Sequence, residues 1–249
     1  MSLVTELSLS AESEHHIEVA QVDDLPAVHE HILRPSFPAK ELMELDRLVN
    51  EVEHGDTEVR VIRADDGTLA GTVIGTWYED ARVLLLDYLA LRPGQRGGGL
   101  GAALLNESVA SWAEQYDPCI VLAEVEHPDH HDPHPQHGDP DARVRFYARQ
   151  GARFLPLPYF TPGVGEGMPR VGGMILTVLH AHESLLGEDA EEIASEPIAR
   201  VLHLQGVGRE DPDNARAHLI ATTEEDDTLP LLRADRVADV PIGTPDGAE

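Results

Sequence analysis

Four glycines in five positions, Gly97-Gly98-Gly99-Leu100-Gly101, stand between an apolar run and a long helix-forming segment. Before them, Val83–Leu91 reads as a buried strand interrupted only by Asp87, and after them Gly98–Tyr116 reads as a helix. A chain that leaves a strand through glycines and enters a helix offers bare N–H groups at the positive end of the helix dipole. No Cβ blocks a close approach there, so the segment is a receptacle for a pyrophosphate. Arg96 adds a positive charge. A tight strand–helix turn alone needs fewer glycines. The pattern Gly97-x-Gly99-x-x-Ala102, with Glu124 downstream, also fits a dinucleotide fingerprint. Spacing argues against that reading, because Arg92–Arg96 intervene between strand and first glycine. A P-loop is excluded because no Gly-Lys-Ser/Thr follows.

The flanking segments place this unit inside a mixed α/β sheet. His16–Val22 reads as a first strand, and Asp23–Glu53 holds amphipathic helical stretches broken by Pro35 and Pro38. Glu58–Ala64 and Leu69–Tyr78 alternate around an Asp65-Asp66-Gly67 turn, the pattern of a hairpin. Cys119–Val125 is a second buried strand, Ala142–Gln150 a helix stopped by Gly151, and Ala152–Tyr159 and Val171–His180 are the last strands. The order β-α-β-β-β-α-β-α-β-β predicts one domain over about residues 14–183, a mixed central sheet flanked by helices.

Residues 187–249 differ in composition. They carry 16 acids and 5 Arg in 63 residues, and no Phe, Trp or Tyr occurs after Phe160. Few large groups are left to bury there, which predicts an acidic, peripheral, partly ordered C-terminal appendage, dispensable for cofactor binding, with short helices near Glu191–Leu204 and Pro212–Ala221.

The whole chain of 249 residues has a net charge of −28 and a single lysine, Lys40. That charge repels a phosphate backbone and predicts no nucleic-acid partner, while it suits a cationic acceptor. No run approaches the roughly 20 apolar residues of a membrane span. The opening MSLVTELSLSAESEHH lacks the basic and apolar regions of a signal peptide, and Cys119 stands alone. These features predict a cytoplasmic protein with no membrane association.

Arg96-Gly97-Gly98-Gly99-Leu100-Gly101 resembles the R/Q-x-x-G-x-G/A signature of the GNAT superfamily of acyl-CoA-dependent N-acyltransferases, and Leu89-Ala90-Leu91-Arg92-Pro93 resembles the family's strand leading into it. Phe146-Tyr147-Ala148-Arg149-Gln150-Gly151-Ala152 resembles the family's second signature, a Phe-Tyr helix ending at Gly before a strand. The resemblance covers about residues 15–182 and leaves the acidic segment outside. It implies acetyl-CoA as acyl donor and an amine as acceptor, with no metal required. Backbone groups of Leu89, Ala90 and Leu91 are then expected along the pantetheine arm, and the amides of Arg96, Gly97, Gly98, Gly99, Leu100, Gly101 and Ala102 around the pyrophosphate. Where many members carry an Asn near the start of the Phe-Tyr helix, this chain has Asp139-Pro140-Asp141.

Acyl transfer to an amine needs a base for the ammonium, a donor for the oxyanion and an acid for the leaving thiolate. Tyr147 is the expected acid, since phenol and thiol pKa values of about 10 and 8.5 are close. Glu124 and Glu126 share one face of a strand end and are the expected base candidates, with Asp87 a third. Five histidines in His127–His137 could ligate a metal, supply a base or border the acceptor cleft, and Pro128, Pro133 and Pro135 deny them a helical face. Pro156–Gly173 reads as a loop shaping the acceptor pocket. The reading is an N-acetyltransferase, set against a non-catalytic acyl-CoA-binding regulatory module or a nucleotide-binding oxidoreductase. The acceptor's identity and any homo-oligomer stay open at this stage.

Overall fold

The computed structural model describes residues 16–64, 66–95, 97–135, 138–162, 169–205 and 214–245. Arg96, His137 and residue 14 therefore lie outside the described residues. Seven strands form one sheet: His16–Val19 (β1), Thr57–Arg63 (β2), Leu69–Tyr78 (β3), Val83–Leu91 (β4), Ile120–Glu126 (β5), Arg153–Phe154 (β6) and Met174–Ala181 (β7). Their order is β1-β2-β3-β4-β5-β7-β6, and every pair is antiparallel except β4–β5. The parallel pair follows from its connection. A crossover helix, Leu100–Gln115 (α3), returns the chain to the edge where it started, which a hairpin cannot do.

Alternation along the two central strands divides the core. Leu84, Leu86, Val121, Ala123 and Val125 pack against α3 and the helix Pro140–Arg149 (α4) on one face. Val83, Leu85, Ile120 and Leu122 point to the other face. There, Leu25–Val28 (α1), a π-helical turn at His29–Leu33 and Leu45–His54 (α2) cover the first strands. Ile32, Leu33 and Leu48 are wholly buried in that layer against Val59, Val61 and Ile74.

Two irregularities shape the centre. β4 and β5 pair only from Val83↔Ile120 to Leu86↔Ala123, and beyond Leu86 they part. In the β3–β4 ladder Ile74 faces Tyr88 while Gly75 faces Leu86, so Asp87 is the extra residue of a bulge. The strand expected over Ala152–Tyr159 is shorter, because Pro156 and Pro158 have no N–H to donate and the ladder stops at Phe154.

The acidic C-terminal segment is not peripheral in this structure. It forms Glu192–Ala194 (β8), Ser195–Leu204 (α5), Asn214–Thr223 (α6), Thr228–Pro230 (β9) and a 3-10 turn at Ala234–Asp239. Ile193, Ile198, Val201, Leu202, Leu219, Ile220 and Leu229 join the core over β4, β5 and β7, while Leu232, Val237 and Val240 join the opposite one. Leu232 exchanges both backbone hydrogen bonds with Phe154, extending the sheet past β6. The absence of aromatic rings is a poor guide, since ten Ile, Leu and Val side chains do the burying and the described acids stay outside. Among the described residues no helix is long and apolar enough to cross a membrane.

Candidate active site

The parting of β4 and β5 opens a cavity of about 830 Å³. Its walls include Asp87 to Leu91 of β4, Glu124 and Glu126 of β5, Phe146 and Tyr147 of α4, and Phe37, Met43 and Arg47 from the α1–α2 region. Once β5 has departed, the β4 edge is no longer used by its parallel neighbour. Within Leu89–Leu91, Ala90 bonds across to β3, and the backbone groups of Leu89 and Leu91 face the gap.

The glycine loop sits at the start of α3. Gly97, Gly98 and Gly99 all have positive φ, 110°, 64° and 81°, a run that residues with a Cβ rarely adopt. The first bond into the helix is from Ala103 N–H to Gly99 C=O, so the amides of Leu100, Gly101 and Ala102 precede the intrahelical ladder. A Cβ on Gly97, Gly98 or Gly99 would meet no atom within 4 Å, which leaves room for a ligand against the backbone. The residues therefore fit an anionic group such as the pyrophosphate of CoA.

Tyr147 is buried on α4, and loss of solvent pushes its phenol up to about 12, so it stays protonated through neutral pH. Asp87 is half-buried on its bulge, where it accepts a 2.7 Å hydrogen bond from Thr76 Oγ1. Desolvation pushes its carboxyl up to about 8, against the Thr76 hydrogen bond, and the Glu124 charge pushes the same way. Glu124 accepts a hydrogen bond from the fully buried Tyr159, and desolvation raises its carboxyl too. Glu126 is engaged differently: Arg143 Nη1 donates to its Oε2 at 2.7 Å. Among the described residues neither Asp87 nor Glu124 has a cation in ion-pair range.

The histidine-rich loop is held by its own rings. His127 Nδ1 accepts from Asp129 N at 3.1 Å, so Nε2 carries the proton and donates to Val240 O at 3.2 Å. His131 Nε2 bonds Gly172 O at 2.9 Å, and His131 and His134 border the cavity. Asp139 lines the cavity as well, and its side chain caps α4 by accepting from Asp141 N at 3.0 Å.

A family model described as the acetyltransferase (GNAT) family matches residues 27–151, half of the chain. The chain belongs to the GNAT acetyltransferases. A protein assigned to this family from Bacteroides thetaiotaomicron is 23% identical over 77% of this chain and 99% of its own, with a TM-score of 0.56. The ribosomal-protein-S18-alanine N-acetyltransferase of Escherichia coli is 17% identical over 70% and 99%, with a TM-score of 0.47. A GNAT family N-acetyltransferase of Escherichia coli in complex with CoA, YhbS, is 22% identical over 49% and 67%, with a TM-score of 0.39. No curated protein sequence gives a significant match.

Of the residues expected at the site, Leu89–Leu91, Glu124, Glu126 and Tyr147 line one cavity, while Gly97–Ala102 form the adjoining helix start. Sequence reasoning missed Thr76, Phe37, Met43 and Gln205, none of which carries a motif. Gly101 offers a clean test of whether the loop amides receive CoA. A Cβ at Gly101 would lie 3.8 Å from Leu91 Cδ1 and 4.0 Å from Phe146, ordinary contacts that the fold tolerates. If the loop holds the pyrophosphate, a carboxylate there sets like charges near each other, which at 4 Å repel by about 4 kcal/mol at an effective dielectric of 20. Gly101→Asp should weaken CoA binding about 100-fold or more by calorimetry, with an unchanged melting profile. Wild-type affinity in the variant would remove the loop from the site.

Proposed function

We propose that the protein moves an acetyl group from acetyl-CoA to a primary amine by direct attack. The observation that carries this reading is one cavity lined by a protonated phenol, Tyr147, and two carboxylates, Asp87 and Glu124, that have no cationic partner among the described residues. The amine nitrogen bonds the thioester carbonyl carbon while a backbone N–H of Leu89–Leu91 receives the developing oxyanion. The ammonium has first given one proton to a carboxylate; as the C–S bond breaks, Tyr147 gives its hydroxyl proton to the departing sulfur, and the second proton of the attacking nitrogen returns to the Tyr147 oxygen. Arg143 occupies Glu126, so we assign proton uptake to Asp87 or Glu124, each with a carboxyl raised toward the working pH. The net charge of −28 favours the approach of a cationic acceptor.

A panel of primary amines with acetyl-CoA, read by released thiol, tests the reading. Binding of CoA without thiol release from any amine would make the protein a non-catalytic module. The pH dependence identifies the base. If Asp87 takes the proton, the ratio of kcat/KM between wild type and Asp87→Asn should climb through a midpoint near pH 8 to a plateau above it. A ratio flat with pH would pass the role to Glu124. Stability gives an independent check. The native state keeps the Asp87 proton up to about 8, whereas the unfolded chain loses it near 3.8. Between these values the native state binds more protons, so wild-type stability should fall as pH rises through this window, less so in Asp87→Asn.

A further inference from the structure

The acidic C-terminal segment lies beyond the matched region 27–151, yet Gln205 brings it into the cavity wall. Gln205 follows α5 directly, and its N–H closes the last turn on Val201 O at 2.9 Å. Ile198, Val201 and Leu202 seat α5 against Leu85, Ile120 and Leu122, on the strands that part to form the cavity. The end of the helix is thereby held over the gap. Gln205 Nε2 donates to the Tyr159 hydroxyl at 3.4 Å, and that hydroxyl donates to Glu124 Oε1. A phenol has one proton to give. With the amide donating into the oxygen, the Tyr159 proton is directed to the carboxylate, and the chain runs one way, amide to phenol to carboxylate.

We propose that Gln205 is a positioning residue of the acceptor site: acting through Tyr159, it holds the Glu124 carboxylate where the acceptor amine is received. The inference rests on the acyltransferase reading above. It makes the acidic segment a working part of the acceptor pocket, one wall of which is built by α1–α2 and the other by the end of α5. Tyr159 is wholly buried and does not line the cavity, so it transmits the placement rather than touching the acceptor.

A two-residue cycle tests this in the full-length protein. Gln205→Leu removes the donor at similar volume. It should raise the acceptor KM about fivefold, the weight of one lost hydrogen bond between neutral groups, with kcat held within about twofold. Calorimetric affinity for CoA should not change, because the glycine loop is untouched. In a Tyr159→Phe background, the same substitution should add clearly less than in the wild type, since only the direct approach of the Gln205 side chain to Glu124 remains. Wild-type KM in Gln205→Leu, or an equal rise in both backgrounds, would overturn the proposal. A second readout does not depend on turnover: the slowly exchanging Tyr159 hydroxyl proton in the NMR spectrum, assigned by its loss in Tyr159→Phe. Gln205→Leu should shift it, and an unshifted resonance overturns the proposal. Absence of thiol release in the wild type itself marks failure of the acyltransferase reading, and the hydroxyl resonance then decides the Gln205–Tyr159–Glu124 chain alone.

Discussion

Ending the chain after Leu186 should abolish cooperative folding. The removed segment supplies ten buried Ile, Leu and Val side chains, from Ile193 to Val240, to two cores on opposite faces of the sheet. At about 1.5–3 kcal/mol for each buried aliphatic side chain, the loss exceeds the whole stability of about 5–15 kcal/mol that a domain possesses. Removal would also uncover Val83, Leu85, Ile120 and Leu122, now buried beneath α5. It would free Phe154 of its pairing with Leu232 and His127 of its acceptor at Val240. The expected product is insoluble or binds hydrophobic dye, with no cooperative melt and no CoA binding. A soluble truncated chain with a sharp transition would restore the segment to a peripheral role.

Tyr147→Phe should lower kcat by about 100-fold, the usual contribution of a general acid, and leave CoA affinity near its wild-type value. The substitution keeps the ring, which packs beside Val144 and Phe154 in the core, and removes only the hydroxyl. Burial holds that hydroxyl protonated, so across neutral pH the group is always a donor and the effect should not vary with pH there. The acceptor must be one for which chemistry limits turnover, since slow product release would hide the loss. A variant with wild-type kcat under those conditions would return Tyr147 to packing alone.

The glycine loop shows how local physics makes a site legible. A run of positive-φ glycines between an apolar strand and a helix has few conformational alternatives, and its anion-binding consequence follows from the backbone alone. The hairpin, the crossover helix and the order of elements were readable for the same reason, because each depends on neighbours in sequence. The helix carrying Tyr147 was readable because Gly151 follows its end.

The remaining features depend on residues far apart. The base could not be chosen among Asp87, Glu124 and Glu126 from the chain, because what separates them is their partners: Thr76 across a bulge, Tyr159 from 35 residues on, and Arg143 from the next helix. The C-terminal segment was misjudged from its charge and lack of rings, since burial is decided by which side chains find a facing surface. Its ten aliphatic residues find one on each side of the sheet. By itself the sequence determined the strand–glycine–helix unit, the α/β class and the Phe-Tyr helix, all set by backbone preference and short-range pattern. Only the tertiary structure decided where β4 and β5 part, which carboxylates the gap receives, and that Gln205 reaches them. Those outcomes depend on long-range packing and desolvation, which no local window of sequence contains.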